Sequence, residues 1–474
     1  MKREFTWVEG LAICLGMIGV QLGSEVLNQW GLYFYSPSEG VGRTVYVAVG
    51  SVWVIFLVGT LWDAVTDPLV GVWSDNTRTR PGWLRLIPLR GRRRPFIFWG
   101  SIFMIFTSVL FWYPPVEAKS GWNLVYGTVL LCLHWTMFTI TMVPLISLGP
   151  EIARSERARV LIGTWTAVGM IVGLTIAAVT PGILIEYFDP ARLEGGHSPA
   201  GYRRVALLFA IISFVLFQVP VWLIRERYDS EKREHTGVPA RERFWTVLTN
   251  RPFIVYAIGF LLFSMGFMAA QRVLPYWAEL GLGGSEETVT YLMLPFIVTA
   301  LASLAAIPYI ERLLGTKYTM LVAFIIIGSG MPFMYVVAKA DIETSTKVIL
   351  GGALFAYCGI GQGIIYVMLT PIMGECIDYD EIRTGHRQES LYNGLSGFAW
   401  KAAMGGAVIL VSQSMHIWGN KPGDNLGVLL VGPFAGLLGF LGFIVMLFYP
   451  KLHVTREEQP AEHETAASTM PPPE

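Results

Sequence analysis

Residues Trp62 to Arg80 read "WDAVTDPLVGVWSDNTRTR", which sets Asp63 and Asp67 four residues apart in a stretch otherwise apolar enough to cross a lipid bilayer. On a helix that spacing puts both carboxylates on one face, one turn above the other. Counting back from Trp73 at about 1.5 Å per residue sets Asp63 roughly 15 Å deep, near the bilayer middle. An ionised carboxylate at that depth is costly unless it is protonated, paired or bound to a cation. Pro68 has no N–H to give the carbonyl of Ala64, so that oxygen is left free beside both acids. Two carboxylates and a loosened carbonyl suit a proton or a hard cation such as sodium. Lys401, in "GLSGFAWKAAMGG", falls at a similar depth in another apolar stretch, and an ammonium there needs a carboxylate partner. The chemistry expected is ion exchange inside the membrane: Lys401 pairs with Asp63 or Asp67, and an arriving cation competes with it.

A second set lies nearer the outer side. Glu25 in "GVQLGSEVLNQW" and Arg272 in "MAAQRVLPYW" occur at matched depth and are expected to pair across the molecule. Asn28, Gln29, Trp30, Gln271, Tyr276 and Trp277 accompany them, a mixture of donors, acceptors and aromatic faces that suits a polyhydroxylated ligand. Trp62, Trp165 and Tyr366 offer further rings nearer the midplane. His134 reads as an internally bonded core residue, and Cys14, Cys132, Cys358 and Cys376, without paired spacing, as small packing residues. The sequence contains no metal-ligand spacing, nucleophile elbow or phosphate-cradling glycine loop, so neither an enzyme nor a cofactor is expected.

The elements that must hold these groups are membrane-spanning helices. Of 474 residues, 53% are hydrophobic and only 15% charged, well short of the roughly 25% charge of soluble domains. Twelve apolar stretches are long enough to span: 8–33, 44–73, 95–114, 121–148, 159–185, 204–225, 253–280, 287–311, 317–338, 345–374, 390–415 and 425–449. The expected fold is an all-α membrane protein of two six-helix bundles, 1–225 and 253–450. A cytoplasmic loop (226–252) joins them, and a polar, Pro-rich tail (451–474) reads as disordered. The ends of spans four and ten both place Pro inside a helix and an acid at its end ("VPLISLGPEIARSER", "LTPIMGECIDYDEIR"), as a duplicated half would. Arg and Lys collect after spans two, four and six, so those loops and both termini should be cytoplasmic, in the plasma or inner membrane. No cleavable signal peptide is expected. Formal net charge is zero, which gives no reason to expect a nucleic-acid partner; a monomer in lipid is expected.

Three segments, "WDAVTDPLVGVWSDNTRTRPG", "PLISLGPEIARSERARV" and "TPIMGECIDYDEIRTGHRQESLYNGLSGFAWKAA", make the chain resemble the glycoside-pentoside-hexuronide:cation symporter family of the major facilitator superfamily, which includes the melibiose carriers. "GVQLG", "PLVGVWSD" and "GRRRPFIFWG" are also similar to the proton-coupled sucrose transporters. The resemblance implies cation-binding roles for Asp63 and Asp67 and a charged partner role for Lys401. Gly71 and Asp75 match the superfamily's cytoplasmic gating motif. Arg78, Arg80, Arg92, Arg93, Glu151, Arg157, Asp378 and Asp380 stand beside the matched segments as gating positions. Two departures matter. The acid that the melibiose carriers use on span four falls at Met142, and their sugar-contacting arginine on span five at Trp165. With fewer oxygen ligands on offer, a proton is expected ahead of sodium as coupling ion. The implied function is cation-coupled symport of a sugar or glycoside by alternating access. A lysolipid or other amphipathic cargo on the same fold is the alternative, and a membrane receptor or enzyme the alternative of another class.

Overall fold

Backbone polar groups find no partners in hydrocarbon, so apolar stretches close their hydrogen bonds internally as helices. The computed structural model describes residues 6–77, 91, 93–153, 156–194, 196–224, 226, 245–385 and 388–450, with Asp75, Glu151 and Arg157 among those described by backbone alone. In the first half run α1 (Trp7–Tyr35), α2 (Trp53–Asn76), α3 (Arg94–Leu110), α4 (Gly121–Ile152), α5 (Glu156–Phe188) and α6 (Ala200–Leu223). The second half holds α7 (Arg251–Tyr276), α8 (Glu286–Ser303), α9 (Ile307–Leu314), α10 (Thr316–Gly330), α11 (Phe333–Lys339), α12 (Thr344–Thr384), α13 (Glu389–Trp418), α14 (Leu426–Leu429) and α15 (Val431–Leu447). A π-helical turn, Trp277–Gly281, continues α7.

Among the described residues, ten helical segments are long and apolar enough to cross a membrane, or eleven if the bent pair α8 and α9 is one span; α3 is apolar but shorter. Span two starts later than its apolar stretch suggests. Residues before Trp53 form an irregular loop in which Gly40 and Gly42 take φ of 84° and 78°, a backbone that side chains resist. The helix of span ten instead runs on to Thr384, where Gly385 in the left-handed region ends it. Span eight bends by 58° between α8 and α9, where Pro308 in the first turn of α9 cannot donate to the preceding helix. The stretch 226–252 is described only at Glu226 and from 245 onward, and 451–474 lie outside the described residues.

The two halves pack alike. In the first, α1 lies against α5 and α6, α2 against α4, and α3 against α4 and α6. The second repeats the pattern in order: α7 against α13 and α15, α8 against α12, and α10 against α12 and α15. The contacts between halves follow the same exchange, α5 on α8 and α2 on α13, with α1 on α7. Small residues permit the closest approaches. A Cβ at Gly169 on α5 would collide with the Cys14 carbonyl of α1, and one at Gly363 on α12 with Ser303 Oγ of α8.

The last turns of α1 and α7 meet, Tyr276 Oη donating to the Ser36 carbonyl at 2.6 Å. Before α7 starts, Asn250 donates to the Cys376 carbonyl at 2.9 Å, and Tyr449, just past α15, donates to Glu375 at 3.0 Å. Trp7 and Tyr449 therefore lie at one end of the molecule, the terminal end, and the α1–α2 loop at the far end.

Candidate functional site

α2 and α13 cross between the halves, each with its central polar residue turned toward the other. Lys401 Nζ stands 2.9 Å from Asp63 Oδ2 and 2.5 Å from Asp67 Oδ2, so one ammonium bridges both acids. From the other side comes a hydroxyl: Thr139 Oγ1 of α4 lies 3.0 Å from Asp63 Oδ1 and 2.9 Å from Asp67 Oδ1. Pro68 sits inside the unbroken α2 one residue past Asp67, and Thr66 Oγ1 donates to the Asp63 carbonyl at 3.3 Å. Side-chain exposures of 17% for Lys401, 17% for Asp63 and 31% for Asp67 leave the cluster reachable from open space while most of its surface is dry. A dry, multiply bonded ion pair of this kind is costly to break unless another cation replaces the ammonium.

Arg272 is buried on α7, where Nη1 donates to the Asn28 carbonyl of α1 at 2.9 Å and the guanidinium lies 5.4 Å over the Phe56 ring. No direct ion pair joins it to Glu25. The expected pair is replaced by a backbone bond and a ring face, with Glu25 beside Asn28 and within electrostatic reach of Arg272. The reason is geometric: Asn28 is one turn past Glu25, level with the guanidinium. Tyr366 of α12 is half exposed and within electrostatic reach of Glu25 from the opposite half. Gln271 is partly exposed next to Arg272. Trp62 is 47% exposed, its Nε1 donating to Thr136 at 2.8 Å, and Trp165 on α5 and Met142 on α4 are partly exposed. His134 is buried, its Nδ1 3.1 Å from Ser108 Oγ.

The gating positions divide. Arg78, Arg80 and Arg92 lie outside the described residues, as do the side chains of Asp75, Glu151 and Arg157. Gly71 faces open space. Arg93, expected as a gating position, is buried: its guanidinium donates to the Ser147 carbonyl of α4 and its backbone N–H to Glu226 at 2.9 Å. Burying the charge against a carbonyl and an acid ties α3 to α4 and to the chain after α6. Asp380 is buried and paired at 3.1 Å with Arg383 of its own helix, and Asp378 is partly exposed on α12.

The sequence model described as MFS/sugar transport protein matches residues 12–452. This chain belongs to that family. As an MFS sugar-transport protein it is an integral membrane transporter, not an enzyme, and the motifs shared with glycoside-pentoside-hexuronide symporters agree. The isoprimeverose transporter of Lactiplantibacillus pentosus is 23% identical over 98% of this chain and 94% of its own. The putative glycoside/cation symporter YagG of Escherichia coli (strain K12) is 24% identical over 80% of this chain and 76% of its own. In fold the chain is similar to the nucleoside transporter NupG (D323A mutant), with a TM-score of 0.62 at 11% identity over 93% of this chain and 99% of that one.

Thr139 was not singled out by the sequence, since one hydroxyl among the three of "FTITMVPLIS" is indistinguishable from the helix threonines that bond their own backbone, as Thr136 does to Cys132. Its level on the helix facing Asp63 is visible only once α2 and α4 are packed. Arg43, Glu279 and Glu286 were missed too, and for them a signal existed: three acids near "AELGLGGSEET" leave an arginine in the α1–α2 loop as the natural counter-charge.

Proposed function

We propose that this transporter is a cation-coupled symporter of a sugar or glycoside, in which Asp63, Asp67 and Lys401 hold the coupling ion. The observation that carries the reading is the ammonium shared by two carboxylates on helices of opposite halves, at 2.9 and 2.5 Å. A cation that loads the acids weakens their hold on Lys401, and with it the tie between α2 and α13. Ion binding is thereby linked to the relative position of the halves, as alternating access requires. Charge counting agrees. The space between the halves joins three acids, Glu25, Asp63 and Asp67, to two bases, Arg272 and Lys401, so one negative charge stays uncompensated and one monovalent cation balances it.

A proton fits better than sodium. Thr139 has one hydroxyl hydrogen yet stands within 3.0 Å of one oxygen of each acid, so one of these contacts needs a hydrogen from the carboxyl itself. Lys401 already fills the space between the two Oδ2 atoms. Glu25, Arg272, Gln271, Tyr366, Trp62 and Trp165 offer hydrogen-bonding groups and ring faces to a sugar in the same space. Twelve spans, with α3 counted and the broken helices joined, and a cytoplasmic terminal end complete the reading for a chain in the plasma or inner membrane.

Proteoliposomes given labelled mono- and disaccharides, a hexuronide, a nucleoside and a lysophosphatidylcholine, under separate proton and sodium gradients, test it. Saturable accumulation of a sugar driven by the proton gradient is expected. Accumulation of the lysolipid or nucleoside alone, or of sugar without either gradient, overturns the proposal.

A further inference from the structure

At the far end the two halves are tied by an ionic knot that the coupling site does not involve. Arg43, on the loop between α1 and α2, donates from Nε to Glu279 Oε1 at 3.1 Å and from Nη1 to Glu286 Oε1 at 2.6 Å. Both acids belong to the second half, Glu279 in the π-helical turn and Glu286 at the start of α8. Tyrosines of the first half complete the set: Tyr33 Oη donates to Glu279 Oε2 at 2.7 Å and Tyr202 Oη to Glu286 Oε1 at 3.0 Å. The side chains of Arg43, Glu279 and Glu286 are 7%, 12% and 6% exposed. Burial works against the Arg43 charge, and the facing Tyr202, Tyr33 and Glu286 more than offset it, raising the guanidinium above its ordinary range. Alongside, Glu186 of α5 accepts from Ser285 Oγ at 2.6 Å and pairs with Arg192 at 3.2 Å, a second tie to the start of α8.

The halves cannot part at this end without stripping Arg43 from both acids. A buried acid left without its base is strongly destabilising, so the knot resists opening. One guanidinium between two carboxylates also leaves the closed cluster one negative charge in excess, which weakens it.

We propose that Arg43, Glu279 and Glu286 form the latch of the far gate, in which Arg43 is the positioning residue that holds this end shut while the terminal end exchanges cargo. The proposal rests on the alternating-access reading but not on the identity of the cargo. It requires opposite effects from two neutral substitutions. Arg43→Gln leaves two acids facing each other in a dry site and should open the far end. Glu279→Gln keeps the shape of the knot, its amide oxygen accepting from Arg43 and its NH2 donating to Tyr33 Oη in reversal of the present bond, while removing the excess charge, and should hold the far end shut longer.

The test places a single cysteine at Asn28, just inside the latch, in a variant with the four native cysteines replaced, and follows its reaction with a membrane-impermeant maleimide added to either face of sealed vesicles. From the far face, Arg43→Gln should react about tenfold faster than the parent, a shift of about 1.4 kcal/mol, and Glu279→Gln more slowly. An unchanged rate in Arg43→Gln, or acceleration by both variants as for mere structural damage, overturns the latch. Should Arg43→Gln fail to insert, Glu279→Gln and Glu286→Gln decide, and acceleration by both rejects the proposal. Equal reaction from both faces in the parent would instead reject alternating access itself.

Discussion

Thr139 supplies one hydrogen to a place where two carboxylate oxygens are in reach, and that shortage is what makes it informative. Thr139→Val removes the hydroxyl without changing volume, leaving Asp63 Oδ1 and Asp67 Oδ1 without a partner. A hydrogen bond to a charged group contributes about 1.5–3 kcal/mol and favours the unloaded, ionised acids, so without it the apparent affinity for a coupling proton should rise by about tenfold or more, while Thr139→Ser keeps close to the wild-type behaviour. Transport rate against pH and against sodium measures this; equal ion dependence in Val and wild-type proteins would remove Thr139 from the site. At this scale the sequence was readable for groups that are expensive in lipid. Asp63, Asp67 and Lys401 announce themselves by cost, and depth alone matched the lysine to its acids. Arg272 was found by the same rule, yet its partner was misjudged, because a one-turn difference between Glu25 and the Asn28 carbonyl lies below the resolution of counting along apolar stretches. Thr139 costs little in a membrane helix, and hence carries no such mark.

Helices, rather than loops, position every group of the coupling site, and their closeness depends on glycine. Gly359 of α12 lies against the Phe296 carbonyl and Thr299 of α8, whereas at Gly374 of the same helix a Cβ would meet open space. Gly359→Ala should therefore cost about 1–3 kcal/mol of stability by overpacking. Gly374→Ala should cost nothing, or raise stability by up to about 1 kcal/mol through helix propensity. Melting in detergent checks the pair, and a Gly359→Ala protein as stable as its parent would show that α8 and α12 do not pack this closely. Apolar length revealed the existence and order of the spans. It did not reveal the break at Pro308, the late start of α2 or the extension of α12, since apolar character follows the solvent and helix ends follow capping, proline and glycine.

Across the whole molecule, the described hydrogen bonds and ion pairs between the halves fall into two sets. One is the coupling site. The other lies toward the far end, where Ser412 of α13 donates to the Val49 carbonyl, Gln413 to that of Gly50 at 3.1 Å, Thr290 of α8 to that of Val179 at 2.6 Å, and Lys421 pairs with Glu39 at 3.0 Å. Gly71 on α2, Gly163 on α5, and Gly394 and Gly397 on α13, all toward the terminal end, instead face open space. The described ties between the halves thus lie at the centre, through Lys401, and toward the far end. The repeated packing of the halves was hinted at by the matching ends of spans four and ten, but the exchange of α2 on α13 for α5 on α8 requires the folded bundle. The central claim is that the Asp63, Asp67 and Lys401 cluster couples ion to cargo. Its most direct test compares gradient-driven accumulation with equilibrium exchange for Asp67→Asn in proteoliposomes, using whichever sugar the wild-type protein accumulates. The amide stands in for a permanently loaded carboxyl, so exchange should persist and accumulation against a gradient should be lost. Accumulation by Asp67→Asn to the wild-type level would contradict the account.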